Sequence, residues 1–236
     1  MATSQAWGDF IVNLREAVQL LVANPSSPTM QRSMPKPDRR RGGHSGALSM
    51  AMTKGCVMLV SGRLQGCLES QAQEFLERID QSGTATRKLP EVLRAELCER
   101  YMDRRKAKPE QLAEMHRRYA VLWIEEASLP AGTLRTDSLP DRVWNPWPEK
   151  AQALLRRCDI NLFERIETKH GSRYLRDLKE YGGELVTYRN DVAHGGEPAL
   201  WTVTDVLLRI RWAQRLARHC DAALGDKLEA VTGRGW

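Results

Sequence analysis

A chain of 236 residues with 42% hydrophobic and 28% charged side chains is long enough to enclose one substantial core, and this composition excludes wholesale disorder. No composition break asks for a second folding unit, so 1–236 reads as a single domain. The formal net charge of +6 permits a polyanionic partner without establishing one, because solvated basic helix faces are common.

The opening segment, to about Ala23, places Phe10, Ile11, Leu14, Val18, Leu21 and Val22 at three- and four-residue steps, the pattern of an amphipathic helix. Asp9, Arg15 and Glu16 interrupt it, so it lacks the unbroken apolar core of a signal peptide. No apolar run elsewhere reaches membrane length, and a cytoplasmic protein is expected. Asn24-Pro25 ends the helix. Over residues 24–46, Pro25, Pro28, Pro35, Pro37, Gly42 and Gly43 predict a mobile, basic, Pro-rich loop. Arg39, Arg40 and Arg41 in that loop are candidate substrate-binding residues for a nucleic-acid backbone, and a solvated connector is the plainer reading.

A long second helix is predicted from about Ser49 to Asp80, with Val57, Val60, Leu64, Leu68, Phe75 and Ile79 on one side, closed by Ser82-Gly83. Pro90 and Pro109 each stand where the first turn of a further helix tolerates proline. Between Ser128 and Pro148 five residues, Pro130, Gly132, Pro140, Pro146 and Pro148, break any helix, and Trp144 and Trp147 among them are expected to wedge the loop onto the core. Short helices follow at 149–157 and 160–167. A helix from Ser172 to about Ala193 carries Tyr174, Leu175, Leu178, Leu185, Val186, Tyr188 and Val192, weakened in its middle by Gly182-Gly183.

His194 stands in the last turn of that helix. Gly195-Gly196 can take up the left-handed conformation that terminates helices, and Pro198 blocks a restart. Thr202 with Asp205 three positions on makes a capping box with a shortened acid, opening a closing helix through Val206, Leu207, Ile210, Trp212, Leu216, Ala217 and Leu224. The fold class is therefore all-α.

Chemistry narrows to few places. The five cysteines are odd in number, dispersed and without a C-x-x-C pair, as in a reduced protein with small buried thiols. His44, His116, His170, His194 and His219 are far apart in sequence and have no ligand spacing, so neither a metal site nor a cofactor is expected. Asp159, Glu167 and Lys169 imitate the acid and E-x-K of metal-dependent restriction-type nucleases. That chemistry needs them on a strand, and this segment reads as helix and turn.

The remaining motif is Arg189-Asn190-Asp191-Val192-Ala193-His194 before Gly195-Gly196. Its plain reading is a helix end with a histidine suited to the dipole and a glycine cap. Five residues at about 100° each leave the Arg189 and His194 side chains about 140° apart on an ideal helix, so a shared site needs the helix to end there or the long arginine to reach round.

The motif resembles the R-x4-6-H signature of HEPN domains, in the form with Asn directly after Arg and with Ala-His-Gly closing it. The segment Met58 to Glu69, with Leu64 through Glu69 as L-x-x-x-L-E, and the connector from Trp144 to Ile166 are similar to the corresponding parts of RiboL-PSP-type HEPN proteins. The resemblance implies a HEPN-like helical bundle, to which the composition adds the long Pro-rich loop after the first helix. It further implies a homodimer whose motif helices meet in one composite cleft, and metal-independent cleavage of RNA.

In that scheme Arg189 holds the scissile phosphate, Asn190 orients the phosphate or the histidine, and His194 exchanges protons with the 2′- or 5′-oxygen. A helix C-terminus favours the imidazolium form suited to a general acid. The products would carry 2′,3′-cyclic phosphate and 5′-hydroxyl ends. Such ribonucleases belong to toxin-antitoxin and anti-phage defence systems, which implies an antitoxin or operon-encoded partner. Gly196 stands where HEPN toxins controlled by a nucleotidyltransferase carry their modified tyrosine, so that form of control is not supported. The competing reading is a non-catalytic HEPN-like module that binds RNA or protein.

Overall fold

Helix α2 (Gly42–Gln81) is the central column of the protein, with α1 (Gln5–Val22) packed along one side and α7 (Val203–Thr232) along another. The structure is a computed structural model. It describes residues 2–23, 42–95, 109–124, 127–129, 132, 134, 146–196, 198 and 200–236, with the side chains of 42–46, 111, 112, 115, 118 and 119 left aside. Between the column and the C-terminus lie α3 (Pro109–Ala120), α4 (Pro148–Arg156), α5 (Leu162–His170) and α6 (Ser172–Ala193). Among the described residues there is no strand; an isolated antiparallel bridge joins Ala85 to Ser128.

The periodic residues read from the sequence line the core. Phe10, Leu14 and Leu21 of α1 meet Val57, Val60, Leu64, Leu68, Phe75 and Ile79 of α2, and all are at most 2% exposed. Deep burial of each such side chain is worth about 1.5–3 kcal/mol, which is what makes the long α2 stable where an isolated helix would fray. Two buried polar ties hold the closing helix, one to the column and one to the start of α1. Gln71 Nε2 donates to the Ala217 carbonyl at 3.1 Å, and Asp221 accepts from the Ser4 backbone N–H at 3.2 Å and from the Ser4 hydroxyl. Cys56, Cys67, Cys158 and Cys220 are buried, and burial pushes the thiols of Cys56 and Cys67 up to about 12.

One expectation needs correction. The helix expected from Ser49 begins at Gly42, so residues 42–46 belong to α2 and not to the loop predicted over 24–46. Gly42 and Gly43 weaken a helix by about 1 kcal/mol each relative to Ala. Extending an existing helix needs no new nucleus and adds a hydrogen bond for each residue fixed, which offsets that cost. Residues 24–41, and with them Arg39, Arg40 and Arg41, lie outside the described residues, as do Trp144 and Cys98.

The helix expected from Ser172 to about Ala193 is present over those residues, Gly182-Gly183 included. Helix α6 runs through them without a break, because both glycines are a landing surface. A Cβ at Gly182 would stand 2.8 Å from Pro148 Cγ, and one at Gly183 would stand 2.9 Å from Trp147 Cζ3. Trp147 lies against α6, and the glycine pair is the place that receives it.

Candidate functional site

Helix α6 ends in a closed double turn. The Gly195 N–H donates to the Val192 carbonyl at 3.4 Å and the Gly196 N–H to the Asp191 carbonyl at 2.8 Å, with Gly195 at φ 74°. This is the Schellman pattern, in which a residue of left-handed conformation satisfies carbonyls that the helix leaves open. His194 is the C-cap at φ −97° and ψ 9°, its own N–H donating to the Asn190 carbonyl at 2.9 Å. Its side chain is exposed.

Arg189 and Asn190 stand one turn earlier and are half-buried, with Arg189 Nη1 3.4 Å from Asn190 Oδ1. Asn190 therefore touches the arginine. Asp191 makes no ion pair among the described residues; it contributes its carbonyl to the Gly196 turn. The three motif residues thus occupy the last turn and cap of one helix, with helical continuity up to Ala193.

The far side of the turn is held by an aromatic and cationic stack. Tyr188 is buried and lies against Trp201, ring centroids 4.2 Å apart. Trp201 is covered by the Arg209 guanidinium at 4.7 Å, and the same guanidinium lies 5.2 Å from the Tyr181 ring. Arg209 Nη2 also reaches Glu184 at 2.5 Å, and Nη1 reaches Asp205 at 3.5 Å. Arg209 therefore ties α6 to α7 on both sides of the connecting loop. The capping box is formed at the start of α7: the Asp205 N–H donates to Thr202 Oγ1 at 3.2 Å, and the Thr202 N–H donates to Asp205 Oδ2 at 2.9 Å. Hydrogen bonds from the Thr202 hydroxyl and N–H hold the Asp205 carboxyl below its usual range.

The restriction-type trio is not assembled on a strand. Asp159 lies in a turn, where it accepts from Lys227 Nζ at 2.8 Å, while Glu167 and Lys169 are on α5. Among the described residues no three His, Cys, Asp or Glu side chains converge as metal ligands would, and no helix is long and apolar enough to cross a membrane.

Sequence distance concealed one constellation. His170, at the end of α5, and His219, in α7, face each other with ring centroids 5.0 Å apart, and Tyr174 Oη lies 3.0 Å from His219 Nε2. Each lies in an ordinary amphipathic helix with no spacing to mark it, and the pairing arises only when α5 and α6 fold against α7. Compared with protein-family models, with curated proteins and with solved structures, the chain finds no match.

Proposed function

We propose that this protein is a metal-independent endoribonuclease of the HEPN kind, acting through Arg189, Asn190 and His194. The observation that carries the reading is the end of α6: a glycine-closed turn that leaves the His194 side chain in solvent, one turn beyond an Arg189 and Asn190 in mutual contact. RNA brings its own nucleophile, so a protein need only hold the phosphate and move protons. The 2′-oxygen loses its proton and bonds to phosphorus, the bond from phosphorus to the 5′-oxygen breaks, and the leaving 5′-oxygen takes up a proton. Arg189 holds the non-bridging oxygens with charge-assisted hydrogen bonds, and Asn190 steadies the guanidinium. His194 exchanges a proton with the 2′- or the 5′-oxygen.

The offset of about 140° between Arg189 and His194 on the helix is the reason for placing the working cleft between two copies of the chain. Each copy then presents an arginine to the phosphate and an imidazole to one of the two oxygens. A role in toxin-antitoxin or anti-phage defence, with a partner that restrains the activity, completes the proposal.

The test is incubation of purified protein with RNA in chelator, beside Arg189→Ala and His194→Ala. The expected result is cleavage to 2′,3′-cyclic phosphate and 5′-hydroxyl ends, lowered by about 10²–10⁴ in the His194 variant, as for loss of a general acid or base. Products with 5′-phosphate, abolition by chelator, or unchanged cleavage by both variants would reject it. RNA binding without cleavage by the parent would replace it with the non-catalytic module.

A further inference from the structure

Helix α5 ends on Lys169 and His170, and α7 carries Arg215, Arg218 and His219 past them. The Tyr174 ring stacks on His170 at 4.7 Å, and the Arg215 guanidinium lies 5.6 Å from Tyr174 and 4.3 Å from Trp212. A cleft of about 390 Å³ opens beside Lys169 and His219, walled also by Leu162, Glu164 and Arg165. The acids around it are committed elsewhere: Asp226 holds Arg165, and Glu164 accepts from Asn161 Nδ2 at 2.8 Å. Among the described residues none of Lys169, Arg215 and Arg218 has a carboxylate at ion-pair distance.

Basic residues in the last turn of α5 answer the helix dipole, which accounts for Lys169 and His170. It does not account for Arg215 and Arg218, which lie in the interior of α7. Burial first, and then the charges of His170, Lys169, Arg218 and Arg215, push His219 down to about 4. A bound anion would relieve that repulsion.

We propose that Lys169, His170, Arg215, Arg218 and His219 form a phosphate-binding site whose occupant is a backbone phosphodiester of single-stranded RNA. Phosphate follows from the charge of basic side chains gathered where α5 meets α7, of which Lys169 and His219, one from each helix, line the cleft. The choice of RNA rests on the ribonuclease reading, and on two further features. The site is an open cleft, and His170 beside it is an exposed ring on which a base can stack. From Tyr174 to His194 along α6 is about 30 Å, so the site engages RNA well away from the scissile bond.

The experiment uses the full chain with His194→Ala, so that RNA is not consumed, and follows the histidine Cε1–Hε1 resonances by NMR at about pH 5.5, where an unliganded His219 is neutral. His219→Gln identifies its signal. The probes are a short single-stranded RNA and, separately, inorganic phosphate. RNA is expected to move the His219 resonance towards its protonated position. Lys169→Gln and Arg218→Gln, on different helices, are each expected to weaken RNA binding at least about fivefold and to lessen the salt slope by about 0.7 for each phosphate no longer neutralised. Thermal unfolding like the parent's certifies either variant, so one misfolded variant leaves the other as the test.

A response to inorganic phosphate alone overturns the RNA assignment. A silent His219 with both ligands, or unchanged RNA affinity in the folded variants, overturns the site. A parent that fails to cleave RNA while His219 still responds removes the ribonuclease reading alone. Cleavage with a silent His219 removes this site alone.

Discussion

Replacing Gly183 with alanine sets two effects against each other at one atom. In an exposed helix interior the change should stabilise by about 1 kcal/mol, because alanine loses less conformational freedom. At Gly183 the new methyl would stand 2.9 Å from Trp147 Cζ3, well inside the roughly 3.5–4.0 Å of an ordinary carbon contact. The ring is half-buried and belongs to the N-cap residue of α4, so relieving the contact shifts a packed side chain. Overpacking of this kind costs about 1–3 kcal/mol, so the net change is a loss of about 1 kcal/mol. Gly62 in α2 is the internal control, since a Cβ there meets nothing within 4 Å.

Gly62→Ala should gain about 1 kcal/mol where Gly183→Ala loses as much, a gap of about 2 kcal/mol, or roughly 4–8 °C in midpoint for a chain of this size. Urea unfolding of both variants and the parent, with unchanged slopes, measures it. Equal stabilisation by the two substitutions would refute the claim that the glycine pair exists to receive Trp147 and Pro148.

Two further outcomes follow from the loop between α6 and α7. Arg209→Ala removes the guanidinium that Tyr181, Trp201, Glu184 and Asp205 share; it should cost about 2–4 kcal/mol, somewhat below a fully buried pair because Glu184 retains solvent contact. Tryptophan emission and urea unfolding report it, and a cost under about 0.5 kcal/mol, the range of an ordinary surface change, would contradict the tie. Thr202→Ala should cost about 1 kcal/mol through removal of the N-cap. Because Asp205 is held below its ordinary range in the folded protein, its contribution is present above the unfolded carboxylate pKa and is lost as pH falls through the lower folded value. The stability difference between parent and Thr202→Ala should therefore shrink under acid, and a difference independent of pH would contradict the capping box as its cause.

The parts of this protein legible in its sequence are those set by neighbours in the chain. The Schellman end at Gly195-Gly196 and the Thr202–Asp205 box depend on residues three to five apart, and the core faces of α1 and α2 depend on a period of about 3.6 residues, so local pattern predicts both. The candidate motif is little more than one helix turn long, and it is the resemblance to the HEPN signature, not local pattern, that singles it out. Local pattern makes Gly182-Gly183 a weak point because it holds no trace of their partners, Trp147 and Pro148, which come from a different segment. It misplaces the start of α2 because it weighs two glycines without the long helix that extends through them.

The sequence by itself determined an all-α chain and the ends of its motif helix, through short-range hydrogen bonding and periodic burial, while the candidate trio Arg189, Asn190 and His194 was picked out by resemblance to the HEPN signature. Only the tertiary structure decided that α4 docks on a glycine surface of α6, that Arg209 clamps the loop behind the motif, and that His170 meets His219 near Lys169, Arg215 and Arg218. Each of those contacts joins residues from separate helices, and helix period carries no record of which faces will meet.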